Sequence, residues 1–291
     1  MCNDPNTSKP PRHASRTALG VATLRALHQI IDGEPKILDD PIAALLLDDD
    51  GRQMLEAKPA LVRDPDVVAM RSRVVLRSRF AEERMAEAVR RGVCQCVILG
   101  AGFDTFAYRQ PDWARALRIF EVDHHATQAE KLRRLQKAGV PLPPNLEFVA
   151  IDFESVSLGE GLRASRLDFS QPTFFSCLGV LVYLTREAVD AIFALVAGFP
   201  TGSEIAFTFS TRDAGVSSLA DKVKLLGEPW RTHFEPDALM HDLCALGFSK
   251  ISFLTTDEAE QTYFQGRNDG LHAPRNASIA AAVVGRAGLR S

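Results

Sequence analysis

Val97-Ile98-Leu99-Gly100-Ala101-Gly102-Phe103-Asp104-Thr105 is the stretch on which the fold turns. The apolar run from Cys96 to Leu99 is too short for a helix and shows no polar face, so it reads as a strand buried on both sides of a sheet. Gly100-Ala101-Gly102 then turns the chain tightly at the carboxyl end of that strand, where open α/β sheets bind ligands because strand order reverses there. A third glycine three residues after Gly102 would complete a dinucleotide fingerprint. Thr105 stands there instead, which weakens the case for a pyrophosphate cofactor and keeps an unliganded strand-to-helix turn in play.

Downstream, strands at Leu117 to Val122, Leu146 to Ile151, Thr173 to Leu178 and Ser203 to Phe209 alternate with helices at Ala126 to Ala138 and Arg186 to Val196. That alternation predicts a parallel sheet. A helix from Pro236 to Leu246, ended by Gly247, precedes two last strands, Lys250 to Leu254 and Ala277 to Gly285. The segment joining them reads as a non-helical loop, too irregular for a routine crossover, so the pair is expected to be antiparallel. The fold class is therefore α/β, Rossmann-like, a seven-stranded mostly parallel sheet with an antiparallel C-terminal pair, closer to a methyltransferase sheet than to a plain dinucleotide fold.

Upstream, residues 1–14 are polar and Pro-rich and read as a mobile arm. Residues 15–92 read as a helical extension. Ser15 caps its first helix, Asp40-Pro41 opens a second at Ile42 to Leu47, and Asp64-Pro65 opens a long third that runs to Arg91. The first two are lid candidates over a core of residues 93–291, with a substrate-side insertion at about 210–236.

The 291 residues are 46% hydrophobic and 24% charged with a net charge of -3, so no basic excess points to nucleic acid. Five cysteines without CxxC pairing argue against a disulfide framework and a zinc site, and Asp48-Asp49-Asp50-Gly51 lacks the spacing of a calcium loop, so no metal is expected. Residues 1–13 hold no apolar signal run, and no stretch approaches the roughly 20 apolar residues of a membrane helix, which predicts a cytoplasmic chain.

Glu121-Val122-Asp123 ends the second strand with two carboxylates on one face, suited to the ribose hydroxyls of an adenosine. His124-His125 follows and is placed to cover the nucleoside. Asp152-Phe153, after the third strand, offers an acceptor for an adenine amino group and a ring for the base. Arg73, Arg77 and Arg84 share a face of the long helix, where like charges repel by roughly 0.2–0.5 kcal/mol per close pair unless an anion relieves them. For Arg84 the bland reading, surface pairs with neighbouring glutamates, is strong; for Arg73 and Arg77 it is not.

With SRTALGVATLRAL, LRSRFAEE, VILGAGFDTFAYR, FEVDH, AIDF and LGVLVYLT in order, the chain resembles the leucine carboxyl methyltransferase-like family of class I methyltransferases, in its bacterial branch. The resemblance implies S-adenosyl-L-methionine as cofactor, with Arg16 and Arg77 on its carboxylate, Gly100 and Gly102 lining it, Glu121 on the ribose, Asp152 and Phe153 at the adenine, and Asp104 and Asp123 in support. The family often has Glu where Leu178 stands and Arg where Glu154 stands. The second departure argues against a phosphatase terminus as substrate. GEPWRTHF and YFQGRNDGL look like substrate-side elements, which makes Arg212, Tyr263 and Arg267 candidates for the substrate and Tyr183 and His233 candidates for catalysis.

The implied activity is O-methyl transfer to a small-molecule carboxylate, which is ionised at neutral pH and needs no base; a phenol would need one, and His233 is then the candidate. A nicotinamide-dependent oxidoreductase and a non-catalytic adenosylmethionine-binding protein are the competing readings.

Overall fold

The computed structural model describes residues 14–47, 52–53, 60–151, 157–211, 230–275 and 278–285. The polar arm up to His13, Asp48 to Gly51, Asp152, Phe153 and most of the insertion, Arg212 included, lie outside the described residues.

Among the described residues three capped α-helices precede the sheet, and each starts where its cap was expected. Ser15 accepts from the Ala18 amide to open α1 (Arg16–Ile31), Asp40 accepts from Ala43 to open α2 (Pro41–Leu45), and Asp64 accepts from Asp66 to open α3 (Pro65–Arg90). The sheet comprises β1 (Gln95–Leu99), β2 (Arg118–Asp123), β3 (Leu146–Ala150), β4 (Thr173–Cys177), β5 (Glu204–Thr208), β6 (Phe248–Phe253) and β7 (Ile279–Val284), in the order β3-β2-β1-β4-β5-β7-β6. β1 to β5 pair in parallel, while β7 runs antiparallel to both β5 and β6, so the C-terminal pair is antiparallel as expected.

β1, β4 and β5 are buried at every position, whereas the edge strands β3 and β6 expose residues, which is why the central strands read as continuous apolar runs. One face, with Val97, Leu99, Phe120, Phe175 and Phe207, packs under α5 (Leu158–Arg163), α6 (Arg186–Ala197) and α7 (Pro236–Leu246) through Leu162, Phe193 and Leu243. The other, with Cys96, Ile98, Ile119 and Phe174, packs on Ala81, Met85 and Ala88 of α3. α4 (His125–Lys137) follows β2.

The β6–β7 connection corrects one expectation. It is not wholly non-helical: Thr255 and Glu258 form a reciprocal capping box that opens α8 (Thr256–Ala259), continued by a π-turn, Glu260–Phe264. Ala259 and Phe264 are buried against Leu76 and Phe80 of α3. The capping box was visible as Thr255-x-x-Glu258, but the apolar run behind it is too short to show a helical period. α5 was missed as well, since six residues with two glycines carry little helical signal.

α3 runs against the strands. Arg84 and Arg91, near its C-terminal end, both bind Glu204 at the start of β5, while Arg77 lies against Gly179, just past the end of β4. Among the described residues no helix is long and apolar enough to cross a membrane.

Candidate active site

A cleft of about 600 Å³ opens at the carboxyl ends of β1 and β4, between which the strand order reverses. Its walls come from the start of α1, Arg77 of α3, the turn from Gly100 to Asp104, Asp123-His124 after β2, the segment from Leu178 to Leu184 after β4, and Arg231.

The glycines are required by geometry. Gly100 and Gly102 have φ of 60° and 48°, and a Cβ on Gly100 would stand 2.4 Å from Val180 Cγ2. Gly100→Ala therefore combines left-handed strain with a clash, and a loss of roughly 1–3 kcal/mol is expected in urea unfolding. Asp123 ties this turn to the second strand: its carboxylate accepts from the Gly102 amide at 2.6 Å and the His124 amide at 2.7 Å. Burial pushes Asp123 upward, and the two amides act against that. His124 accepts from the Ala126 amide through Nδ1 at 3.2 Å, capping α4, and its ring packs on His125 with centroids 4.2 Å apart. Only His124 of the pair lines the cleft.

Charge is unevenly settled around the cleft. Asp104 lines it but is engaged by Arg25 at 3.2 Å and by the Phe106 amide at 2.8 Å. Arg25 in turn pairs with Asp40 at 2.5 Å, and Asp40 also receives Thr105 Oγ1 at 2.7 Å and Arg109 at 3.2 Å, with Arg109 held by Glu82. Burial opposes the ionised form of Asp40, but Arg25 and Arg109 hold its carboxyl below the ordinary range. Asp104, Thr105 and Arg109 of the VILGAGFDTFAYR motif thus fasten α1 and α2 to the core. Thr105, where a dinucleotide turn would have its third glycine, is fully buried in this network.

Arg77 is different. Among the described residues it has no carboxylate partner; its guanidinium rests on the backbone at Gly179, where a Cβ would be 2.7 Å from Nη1. Burial pulls it down to about 10, with Arg25 and Arg73 adding to the fall and Tyr183 and Asp104 opposing it. It remains charged at neutral pH, so an unmatched cation faces the cleft.

The structure brings Arg16, Arg77, Gly100, Gly102, Asp104, Asp123 and Tyr183 together. Four of the expected site residues lie away from the cleft walls. Glu121 does not line the cleft; it is buried on Lys131, with Nζ at 2.5 Å, and burial pushes its carboxyl up to about 7. On β2 it lies two residues before Asp123, and its Oε1 has no hydrogen-bond partner among the described residues. Tyr263 donates to Glu83 at 2.5 Å and packs beside Phe264, away from the cleft walls. Arg267 binds Asp269, Gly33 O and Pro35 O, bracing the turn after α1. His233 faces a smaller hollow with Arg186 and Asp242, its Nδ1 3.3 Å from Ser210 Oγ.

Arg231 was missed. The segment 230–234 is an extended strap, held by Arg231 N to Val182 O at 2.7 Å, Thr232 Oγ1 to Leu184 O at 2.5 Å and Phe234 N to Ser210 O at 2.7 Å. Arg231 and His233 both face outward on it, alternating with buried Thr232 and Phe234, and nothing in GEPWRTHF says which meets the cleft. Among the described residues no group of His, Cys, Asp or Glu is arranged to hold a metal.

The chain is similar to several known proteins. YktD of Bacillus subtilis strain 168, named as an S-adenosyl-L-methionine-dependent methyltransferase, is 31% identical over 89% of this chain and 94% of its own. A similarly named protein of Mycolicibacterium paratuberculosis is 32% identical over 74% of this chain and 72% of its own. The fold is similar to a DUF574-family protein from Streptomyces avermitilis, with a TM-score of 0.55 and 20% identity over 91% of this chain and 97% of that one. It is also similar to a protein of Thermobifida fusca described as a methyltransferase, with a TM-score of 0.56 and 16% identity over 91% and 94%. Residues 18–197, which carry most of α1, the glycine turn, Asp123 and the segment after β4, match the model of the leucine carboxyl methyltransferase family, and the chain belongs to that family.

Proposed function

We propose that this chain is an S-adenosylmethionine-dependent methyltransferase that methylates a carboxylate oxygen of a small molecule. The observation that carries the reading is the unmatched Arg77 guanidinium facing a glycine-lined cleft at the switch point of the sheet. A guanidinium takes a carboxylate through two parallel hydrogen bonds, and a methionine carboxylate fits that need.

Arg77, with Arg16 from the start of α1, holds the carboxylate of the cofactor. Gly100 and Gly102 allow the backbone to approach it, and Asp123 takes the ribose hydroxyls, the role first expected of Glu121. Asp104 acts in support by ordering the turn through Arg25. Asp152 and Phe153 remain the candidates for the adenine. Leu178 lines the cleft where relatives often carry Glu, so the methionine ammonium has one carboxylate fewer to meet. The bound cofactor supplies an electrophilic methyl on a positively charged sulfur.

For the acceptor, the cleft supplies alignment and no free carboxylate base. Among the described residues, Asp104 is engaged by Arg25 and Asp123 by two amides. A carboxylate acceptor with a pKa near 4 is ionised already and needs none. Tyr183 and Arg231 line the wall after β4 and are the groups to orient it. Alignment of a near-attack geometry contributes several kcal/mol, roughly 7–11 at its upper end, and Leu178 and Val180 keep the anion poorly hydrated.

The product decides the acceptor chemistry. Incubation with methyl-labelled S-adenosylmethionine and a panel of carboxylic acids is expected to give methyl esters that mild base hydrolyses; base-stable methyl groups would refute carboxylate transfer. Two substitutions separate the β2 carboxylates. Asp123→Asn is expected to weaken cofactor binding by roughly 10–100-fold, since hydrogen bonds to charged groups are worth about 1.5–3 kcal/mol each. Glu121→Gln is expected to leave affinity unchanged and to lower stability by roughly 1–3 kcal/mol, because Lys131 loses its buried counterion. Calorimetric titration and urea unfolding of both variants check this, and the reverse pattern would return the ribose to Glu121.

A further inference from the structure

We propose that the hydroxyls of Ser78 and Ser176 receive the methionine ammonium of the cofactor, so that two neutral acceptors hold this cation in the cleft. This rests on the function proposed above and adds two binding residues to it.

Both serines are almost closed off from solvent, Ser78 at 5% exposure and Ser176 at 8%, yet both line the cleft. Neither hydroxyl has a hydrogen-bond partner among the described residues, which leaves two largely desolvated polar groups in the cleft wall. A nearby hydroxyl is used in the ordinary way: Thr208 Oγ1 accepts from the Gly179 amide at 2.7 Å.

The placement of the two serines follows from the packing of α3 on the sheet. Ala81, Met85 and Ala88 bury one face of the helix against Ile98 and Phe174, and Ser78 continues that row one turn earlier. On β4, Ser176 shares the face of Phe174 and pairs in register with Ile98, itself a cleft residue. Because α3 runs against the strands, the step from Ala81 back to Ser78 leads toward their carboxyl ends, where Arg77 rests on Gly179. Ser78 adjoins that contact on the helix, and Ser176 approaches it on the strand.

The carboxylate and ammonium of methionine share one carbon, so a carboxylate held by Arg77 puts the ammonium in the surroundings of the same contact. The rest of the methionine leads to the sulfur and on to the adenosine, toward the glycine turn and Asp123, which leaves the wall between α3 and β4 to the ammonium. Leu178 offers no polar side-chain atom there, while Asp104 is engaged by Arg25 and Asp123 by two amides. An ammonium only donates, and a hydroxyl oxygen can accept.

The test is calorimetric titration with S-adenosylhomocysteine and with its deamino analogue, in which hydrogen replaces the amino group. Ser78→Ala and Ser176→Ala are each expected to weaken S-adenosylhomocysteine by about tenfold, the scale of one hydrogen bond to a charged group, and to leave the analogue within about twofold of wild type. The ligand-free Tm is expected to stay level or rise, since each change removes an unpartnered hydroxyl. Ser72→Ala, which removes a buried, unpartnered hydroxyl away from the cleft walls, is expected to change neither affinity. Affinity for S-adenosylhomocysteine that survives both substitutions overturns the proposal, by giving the ammonium to another group. Equal weakening of both ligands also overturns it, by placing the hydroxyls on the carboxylate or in the support of the fold. Failure of the wild type to bind S-adenosylhomocysteine refutes the underlying function instead, so the two are distinguishable.

Discussion

Arg77→Ala is expected to weaken S-adenosylmethionine binding by roughly 100-fold, about 3 kcal/mol, the scale seen when one partner of a buried charge-assisted pair is truncated. The ligand-free protein is expected to move the other way. Its Arg77 is a half-buried cation with no carboxylate partner among the described residues, so alanine removes a desolvation cost and unfolding stability stays level or rises. Arg77→Lys keeps the charge and loses the fork, and an intermediate affinity is expected. A residue that merely packs would lose stability and leave affinity alone. Calorimetry and urea unfolding on the same preparations separate the two.

Asp40→Ala is expected to have the largest effect on stability, a loss of roughly 3–5 kcal/mol, because it leaves two buried guanidiniums, Arg25 and Arg109, short of a counterion. It also removes the α2 cap at Ala43. The double variant Asp40→Ala/Arg25→Met is expected to recover part of the loss, since the stranded charge goes too. The pH dependence has a definite sign. Asp40 and Asp104 are both held below their ordinary value in the folded chain, so their contribution is fully present above the unfolded pKa and is lost as pH falls through the folded one. Wild-type stability is thus expected to fall below about pH 4 with a slope that Asp40→Ala reduces. Acid titration of Tm reads this directly.

The network also explains which parts of the site were legible in the sequence. Caps and turns were, because their chemistry is local: Ser15, Asp40, Asp64 and Gly247 each end or begin an element through contacts with near neighbours. The central strands were legible because burial on both faces leaves an uninterrupted apolar run. Gly100 and Gly102 could be placed because a strand end followed by a tight turn has few solutions. What pairing does with a charge was not legible. Glu121 and Asp123 look equivalent two residues apart, and only the position of Lys131 on α4 decides that one is spent inside and the other meets the cleft. Tyr263 and Arg267 likewise look like binding residues until Glu83, on α3, and Gly33, after α1, are brought alongside them by the long-range fold. Arg231 and His233 face outward together on one strap, and the choice between them rests on main-chain bonds to Val182 and Ser210.

The central claim is that the cleft between the glycine turn and Arg77 is an adenosylmethionine site, and calorimetric titration of the wild-type chain with S-adenosylmethionine, S-adenosylhomocysteine and NAD tests it most directly. The expected result is one-site binding of the first two and none of NAD, with both affinities lost together in Arg77→Ala. Binding of NAD, or adenosylmethionine binding that Arg77→Ala leaves intact, would contradict it.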